Sequence, residues 1–391
     1  MNSFAVVALP RHFCAIFRKV TQQKLSCPDN QKENYLNSKT TIITTEKCWM
    51  EHTALTQLEN VSNLPGVIRA VGLPDLHAGK SPVGIMIETT GVLYPHLIGS
   101  DIGCGMGLFE TNCALRKFKQ ERFVTRLNHI RALEDLPCEN PFPEESPIYD
   151  LGTIGSGNHF AEFQTVEEVF DQESFDALGI NKRQLLLLVH SGSRGYGQRI
   201  LSEFLDFEGF SAGSERAGAY LAKHDDALLW ARRNRQLVAE NLMDYLGYDR
   251  EVTPLLDCHH NYLEHSGDVF THRKGAVSAM GGPVIIPGSR GSLTYIVQPA
   301  EDTSLSAHSL SHGAGRKWAR SLCKSRIREK YDRDSIRHSK LGGRTVCHDT
   351  ELLYQEAPEA YKNIEHVIAA LLEHGLCRVI ATLRPLITYK G

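Results

Sequence analysis

The sequence of 391 residues predicts an α+β fold. Short apolar runs typical of strands outnumber the long helical segments, and the two kinds of segment do not alternate regularly along the chain. A doubly wound α/β sheet requires that alternation, so the pattern favours α+β. A chain of this length can bury one large core or two ordinary ones.

Each element is predicted from its local pattern. The run of four leucines before Val189 indicates a buried strand, and leucines at helical spacing that end at Gly247 indicate the clearest helix. Strands are predicted at 67–71, 83–90, 185–189, on either side of 287–291, and at 377–389. Helices are predicted at 115–136, 215–246, 364–372, and as a basic helix that opens at 311–316.

The sequence divides the chain into two parts. Residues 1–48 read as a poorly defined leader, and 49–391 as the functional domain.

Composition excludes several classes of protein. The net charge of −3 means that any nucleic-acid surface must be local. No apolar run approaches the roughly 20 residues that span a bilayer, so no membrane partner is expected. Ten cysteines without paired spacing fit a reducing compartment, and we expect a cytoplasmic protein.

The turn around Asp101 and Cys104 places a carboxylate and a thiol three residues apart in a glycine-rich run. Glycine permits sharp turns and close approach, and it disfavours a regular helix there. A hard oxygen ligand and a soft sulfur ligand on one turn indicate half of a metal site.

Histidines would supply the other half of that site. Four of the chain's eighteen histidines lie at glycine-rich turns or at the ends of apolar runs, namely His159, His190, His260 and His312. Together with Cys104 they suit a transition ion such as Mn, Zn, Fe or Co, and they do not suit an all-oxygen calcium site. A structural zinc site remains the alternative, although the spacing is not that of a zinc finger.

His312 differs from the other three because its neighbours are small. An uncrowded imidazole can attack phosphorus, so His312 is a candidate nucleophile, with Arg316 one helical turn away as a phosphate ligand. A surface histidine in a helix-capping segment explains the same residues equally well.

The segment 316–344 carries eleven Lys or Arg residues against three acids, a net charge of 11 − 3 = +8. Such a patch suits a polyphosphate or a nucleic-acid backbone, and a solvated basic helix is the alternative. The glycine-rich loops do not match the P-loop pattern, so a P-loop nucleotide site is not expected.

Six motifs in register resemble those of the RtcB family of RNA ligases. They are Asp101-Ile102-Gly103-Cys104, Gly157-Asn158-His159-Phe160, His190-Ser191-Gly192-Ser193-Arg194, His259-His260-Asn261, Pro287-Gly288-Ser289-Arg290 and Ser311-His312-Gly313-Ala314-Gly315-Arg316. The resemblance runs from about residue 49 to the C-terminus, and the 72–84 segment is most similar to the branch coupled to release factor H.

The resemblance implies a single large α+β domain with mixed sheets, surrounding helices and a central active-site cleft. It implies two Mn ions bridged by Cys104, the first held also by Asp101 and His159, the second also by His190 and His260. His312 would become guanylylated. The implied GTP-site residues are Asn158, Glu162, Pro287, Gly288, Ser289, Arg290, Thr294, Gly313, Ala314, Gly315, Tyr361 and Lys390. Arg290 stands where many family members carry Met.

The implied function is GTP- and Mn-dependent joining of RNA 3′-phosphate or 2′,3′-cyclic phosphate ends to 5′-hydroxyl ends, in RNA repair, with a release-factor-like protein as a further partner. Two alternatives stay open from the residues. One is a metal-dependent RNA-end phosphatase or cyclic phosphodiesterase, and the other is a non-catalytic RNA-binding partner of a release factor.

Overall fold

A computed structural model describes residues 37–130, 133, 136 and 151–391. Most of the predicted leader, residues 1–36, lies outside that range. The strands are β1 Thr40–Ile42, β2 Val67–His77, β3 Val83–Thr90, β4 Val92–Leu93, β5 Gly105–Ala114, β6 Phe160–Val169, β7 Gln184–Ser191, β8 Phe210–Ser211, β9 Thr253–His259, β10 Asn261–Ser266, β11 Val269–Lys274, β12 Ala276–Ser278, β13 Val284–Pro287, β14 Thr294–Pro299, β15 Ser309–Ser311, β16 Arg344–Cys347 and β17 Cys377–Lys390. The helices are α1 His52–Ser62, α2 Gln120–Leu127, α3 Gln172–Ala177, α4 Arg194–Phe204, α5 Glu215–Tyr245, α6 Arg320–Arg328, α7 Thr350–Gln355 and α8 Ile364–Glu373.

Two sheets organise the described residues. The larger has eight strands in the order β13-β14-β17-β6-β7-β5-β9, with β16 pairing beside β17. Neighbours along that path are all antiparallel. The second sheet has five strands in the order β1-β2-β3-β11-β10. The antiparallel path of the large sheet, together with the run of strands from β9 to β15 that no α-helix interrupts, confirms the predicted α+β class.

Burial explains the longest elements. The leucines of β7 are fully buried because β7 pairs with a strand on each side and α5 packs near it. Helix α5 is capped by Ser214, whose hydroxyl accepts a hydrogen bond from the Ala217 amide at 3.2 Å. It ends before Gly247, which has a φ of 73°.

Two helix predictions were wrong. Among the described residues of 115–136, which are 115–130, 133 and 136, only α2 is an α-helix, and a short 3₁₀ turn at Leu115–Lys117 precedes it. The segment 311–316 does not open a helix, because α6 begins only at Arg320 and Gly315 adopts a left-handed φ of 67°. The predicted strands at 83–90, 185–189 and 377–389 are confirmed, as are the helices at 215–246 and 364–372.

Antiparallel pairing gathers distant residues at one edge of the large sheet. Strands β5 and β6 begin at the edge where β7 and β9 end, since Gly105 pairs with Ser191 and with His259. Phe160 pairs with His190 at the same edge. Residues just before β5 and β6, and those at the ends of β7 and β9, therefore meet although they are far apart in sequence.

Candidate active site

The turn before β5 holds Asp101 and Cys104 at that edge. The Cys104 amide donates to the Asp101 carbonyl at 3.1 Å, and the His260 amide donates to the Cys104 carbonyl at 2.7 Å. Gly103 has a φ of 72° and donates its amide to the Asn261 carbonyl at 2.7 Å. Glycine is required there because a side chain rarely adopts that backbone conformation.

Two further residues keep this turn tightly packed. A Cβ on Gly192 would lie 2.5 Å from Asp101 Oδ1, so the carboxylate rests directly on that glycine. Arg235 of α5 is fully buried and donates to the carbonyls of Gly103 and Ser191, both at 2.8 Å. Its guanidinium also forms a bidentate pair with Asp257, at 2.6 and 2.9 Å.

A cluster of thiol, imidazole and carboxylate groups forms at the sheet edge. Cys104 Sγ lies 3.2 Å from both His159 Nε2 and His190 Nε2. His190 Nε2 lies 3.3 Å from His260 Nε2, and Asp101 Oδ2 lies 3.0 Å from His159 Nε2. The five residues predicted as metal ligands are therefore brought together, and Cys104, His159 and His190 form a group that could hold a metal ion.

Burial sets the protonation states of this cluster. It lowers the pKa of His190 and of His260 well below the usual value, and the neighbouring histidines lower both further. Burial and the adjacent Asp101 raise the pKa of Cys104. Burial alone would raise the pKa of Asp101, but His159 and Arg194 outweigh it and lower that pKa. Neutral imidazoles and an ionised carboxylate converge here, which is the donor set that a divalent cation binds.

The tautomer of His190 also fits a cation, whereas that of His159 does not. His190 Nδ1 lies 3.2 Å from the Asn158 carbonyl and donates to it, which leaves the Nε2 lone pair facing Cys104. His159 differs, because the Arg194 guanidinium donates to its Nδ1 at 3.1 Å. Binding of a cation at His159 Nε2 therefore requires that Arg194 release Nδ1, since a neutral imidazole has only one free lone pair.

His312 lies beside this cluster and is held by Asp75. Its Nδ1 is 2.5 Å from Asp75 Oδ2, which also accepts the His312 backbone amide at 3.1 Å. The His312 and His260 rings have centroids 4.8 Å apart. Burial raises the pKa of Asp75, but the interactions with His312 outweigh it and lower that pKa. An ionised Asp75 that accepts from Nδ1 leaves His312 Nε2 with the free lone pair.

Lys362 and Gly315 fix the contact between Asp75 and His312. The Lys362 ammonium donates to the carbonyls of Pro74 and Leu76, at 3.0 and 2.7 Å, on either side of Asp75. The Lys362 amide donates to the Gly315 carbonyl at 3.0 Å. A Cβ on Gly315 would lie 2.3 Å from the Asp75 carbonyl oxygen, so the two segments approach as closely as glycine permits.

One cavity of about 520 Å³ contains both centres. Of the residues expected at a GTP site, all but Thr294 line this cavity, and they are Asn158, Glu162, Pro287, Gly288, Ser289, Arg290, Gly313, Ala314, Gly315, Tyr361 and Lys390. Thr294 lies behind the wall, where its hydroxyl accepts from Gln164 at 2.9 Å. Gln164 also donates to Glu162 at 2.7 Å. Thr294 therefore supports the wall and does not line it.

The charged groups of the wall have shifted pKa values. Burial raises the pKa of Glu162 to about 7, and burial lowers that of Lys390 to about 8. Lys390 donates to the His159 carbonyl at 2.9 Å, which links the end of the chain to the cluster. Arg290 donates through Nη2 to two backbone carbonyls, while its buried Nη1 has no partner among the described residues.

The prediction that Arg316 lies one helical turn from His312, as a phosphate ligand, was wrong about the backbone. Arg316 is not one helical turn from His312, because 311–316 is not helical. Its guanidinium donates to Glu356 at 2.9 Å and to the Gln355 carbonyl at 2.9 Å. Arg320 also pairs with Glu356, at 3.1 Å, so one buried carboxylate orients two arginines of the cavity wall.

Sequence reasoning missed several residues that orient the site, namely Asp75, Arg194, Arg235 and Lys362. Asp75 lies in the 72–84 segment, whose family resemblance implies no role for that residue. Arg235 sits in a run of arginines that resembles a solvated helix face. For Lys362, no signal in the sequence distinguishes it from a surface lysine.

The fold and site together define an α+β protein with a metal-capable thiol and imidazole centre beside a histidine that a carboxylate orients. A family model described as tRNA-splicing ligase RtcB matches residues 57–137 and 139–391. The chain is 41% identical over 365 residues to RNA-splicing ligase RtcB2 of Escherichia coli (strain ATCC 25922), across 89% of this chain and 95% of that protein.

Two further relatives have similar coverage. The chain is 30% identical over 427 residues to RNA-splicing ligase RtcB of Escherichia coli (strain K12), across 90% of this chain and 99% of the relative. It is 26% identical over 439 residues to tRNA-splicing ligase RtcB of Methanococcus maripaludis, across 86% and 91%. The chain therefore belongs to the RtcB family, and it is an RNA ligase.

None of the helices in the described part of the chain combines the length and the apolar character needed to cross a membrane.

Proposed function

We propose that this RNA ligase joins 3′-phosphate or 2′,3′-cyclic phosphate ends to 5′-hydroxyl ends, using GTP and two Mn ions, through guanylylation of His312. One observation carries the proposal. His312, tied to Asp75 at 2.5 Å, lies in the same cavity as the cluster around Cys104. A nucleophile and a metal-capable centre are thus within reach of one bound nucleotide.

The metal ligands are proposed from the cluster. Asp101, Cys104 and His159 would hold one ion, and Cys104, His190 and His260 the other, with the thiolate shared. The mixture of one sulfur, three imidazoles and one carboxylate supports a borderline divalent ion over calcium. Such ions neutralise the negative charge that develops on phosphate oxygens during transfer.

Asp75 prepares His312 for attack. Because Asp75 accepts a hydrogen bond from Nδ1–H, the Nε2 lone pair is free to form a bond to the α-phosphorus of GTP. The bond from that phosphorus to the bridging oxygen breaks, and pyrophosphate leaves. The imidazole gains positive charge in this step, which the adjacent carboxylate stabilises.

The wall of the cavity supplies groups for the nucleotide. The unpaired Nη1 of Arg290 is a donor for a phosphate oxygen, and Arg316 and Arg320 add positive charge at the same wall. Glu162 and Lys390, together with Tyr361, offer acceptors and donors for the base and ribose. In this proposal Thr294 does not contact the nucleotide. It holds Gln164, which donates a hydrogen bond to Glu162 in the cavity wall.

The RNA steps then follow by group transfer. An oxygen of the RNA 3′-phosphate attacks the guanylyl phosphorus, and the bond to His312 Nε2 breaks. The 5′-hydroxyl attacks the activated 3′-phosphorus, loses its proton, and GMP leaves. A cyclic phosphate end is first opened by water. This chemistry suits the repair of cleaved RNA.

The proposal assigns the ligase domain to residues 49–391 and a reducing, cytoplasmic setting to the reaction. The seven cysteines in the described residues are all free thiols. A reducing setting keeps Cys104 available as a thiolate ligand, because an oxidised thiol cannot bind the metal.

Incubation of the metal-loaded protein with GTP labelled at the α-phosphate tests the proposal. We expect the wild-type protein and the His52→Ala variant, which changes an exposed histidine of α1, to become labelled to the same extent. His312→Ala should take up no label. The histidine phosphoramidate should also be lost in acid and survive in base.

A metal-dependent phosphatase or phosphodiesterase would behave differently. It would hydrolyse RNA ends without GTP, and His312→Ala would retain that activity. Absence of label on active, metal-loaded wild-type protein would contradict the proposal.

A further inference from the structure

A second cavity of about 730 Å³ lies beside the first, with Ser289 and Tyr361 in the lining of both. It is lined by lysines and aromatic side chains, among them Lys47, Trp49, Lys317, Trp318, Lys330, Tyr331 and Lys340. We call this cavity the basic groove. None of these seven residues lines the first cavity, and the ligase chemistry described above does not use them.

Among the residues that the structure describes, no ion pair neutralises the lysines of the basic groove. Lys47, Lys317, Lys330 and Lys340 are exposed, and no carboxylate of the described residues lies within ion-pair distance of their ammonium groups. Glu359, the one acid that lines the groove among the described residues, accepts a hydrogen bond from the Tyr331 hydroxyl at 2.5 Å. Other cations of the basic segment, such as Lys324, are paired with carboxylates outside the groove.

Aromatic rings accompany those lysines. Trp49 is 51% exposed, which is unusual for so large an apolar side chain. The backbone of Trp318 is fixed, since its amide and that of Lys317 donate to the Ala360 carbonyl at 3.2 and 2.7 Å. The Arg326 guanidinium lies 5.1 Å from the Trp318 ring centroid.

The basic groove adjoins the reaction cavity. Ser289 and Tyr361 line both cavities, so the basic groove and the nucleotide site share part of one wall. Its rim is ordered by hydrogen bonds. Lys340 sits on a turn in which the Gly342 amide donates to the Ser339 carbonyl at 3.0 Å.

We propose that the basic groove binds a single-stranded segment of the RNA substrate, several nucleotides from the end that is joined. Exposed lysines would contact phosphates, and Trp49 would stack on a base. That combination of cationic groove and stacking ring is how proteins bind single strands without reading sequence. An acidic protein segment could pair with the lysines but would not use an exposed tryptophan for stacking.

RNA binding tests the proposal directly. The probe is a 3′-phosphorylated single-stranded RNA of about 12 nucleotides, a length within the usual range for such grooves. Lys317→Ala combined with Lys340→Ala should weaken binding roughly tenfold at 0.15 M salt. The slope of log Kd against log salt should fall by about 1.4, because each lost phosphate contact removes about 0.7. Trp49→Ala should weaken binding roughly 5- to 150-fold.

Matched variants outside the groove serve as controls. Lys117→Ala changes an exposed lysine and Phe207→Ala an exposed aromatic, and neither residue lines either cavity. We expect both to bind the RNA as the wild type does. Groove variants whose Kd and salt slope equal those of the wild type would overturn the proposal. Equal losses in the control and groove variants would also overturn it.

The proposal rests on the RNA substrate of the proposed function but not on its GTP step. Self-guanylylation with labelled GTP separates the two. Groove variants that become guanylylated normally, and whose ligation shows a raised KM for long RNA with an unchanged kcat, support the groove as a strand site. Wild-type protein that fails to label would contradict the GTP chemistry and leave the RNA-binding comparison decisive for the groove.

Discussion

Replacement of Asp75 by Asn is the sharpest perturbation of the proposed nucleophile. The change keeps the size of the side chain and an oxygen that can accept from His312 Nδ1, but it removes the negative charge. His312 gains positive charge as its Nε2 bonds to phosphorus, so Asp75→Asn should slow guanylylation more than it weakens GTP binding.

The size of this effect follows from the geometry. Nδ1 and Oδ2 are 2.5 Å apart, which puts the centres of the delocalised charges about 4 Å apart. With an effective dielectric constant of about 20, a unit charge pair at that distance is worth about 4 kcal/mol. Loss of that stabilisation in the transition state corresponds to a rate about a thousandfold lower.

Rapid-quench measurement of label transfer from α-labelled GTP gives this rate in a single turnover. Asp226→Asn, which makes the same change on an exposed face of α5, serves as the control and should retain the wild-type rate. A reduction of less than about fivefold in Asp75→Asn would refute the proposed role of the carboxylate, since it corresponds to only about 1 kcal/mol.

Three further predictions concern the turn around Asp101. Cys104→Ala should lose both Mn ions, whereas Asp101→Ala should lose one, as counted by native mass spectrometry. Gly192→Ala should weaken metal binding roughly 10- to 100-fold, because its new methyl would lie 2.5 Å from Asp101 Oδ1 and displace the carboxylate. Arg235→Met should lower the free energy of unfolding by about 3–5 kcal/mol in urea titrations, because it leaves a buried carboxylate unpaired.

Each of these predictions has its own control. One ion fully retained in Cys104→Ala would disprove the shared ligand. Gly213→Ala adds a methyl group where no atom lies within 4 Å, so metal affinity should be unchanged there. If Gly192→Ala also binds metal normally, the contact with Asp101 does not hold the carboxylate. Arg232→Met, on an exposed position of α5, should stay within about 0.5 kcal/mol of the wild type, and an equal loss in both arginine variants would contradict the role of burial.

The sequence predicted the cluster around Cys104 well, for a physical reason. Functional side chains placed at glycine turns next to strands end up at a sheet edge, and antiparallel pairing then brings the start of one strand beside the end of the next. Cys104 and His159 precede strands, while His190 and His260 lie where strands end. Their convergence follows from the pairing of β5, β6, β7 and β9.

The helix predicted to open at 311–316 does not form, because the glycines of this segment disfavour a helical backbone whatever its charge. Basic residues follow His312, but Gly313 and Gly315 lie between, and Gly315 adopts a left-handed φ. Glycine costs about 1 kcal/mol in a helix relative to alanine, so the segment is irregular, with bends, until α6 begins at Arg320. Arg316 is therefore free to reach Glu356.

The residues that orient the site were invisible in the sequence because their partners are backbone groups or distant in the chain. Lys362 holds the carbonyls beside Asp75, which lies almost 290 residues earlier. Arg235 is fully buried within a run of charged residues that has the composition of an exposed helix. Only tertiary packing distinguishes such cations from solvated ones.

The joining reaction itself tests the central claim most directly. An RNA labelled at its 3′-phosphate is incubated with a 5′-hydroxyl RNA, GTP and Mn, and the products are digested to locate the label. The account predicts a longer RNA whose junction contains the labelled phosphate, with GTP required and no product from His312→Ala. Release of the label as inorganic phosphate, without a joined product and without need of GTP, would contradict it.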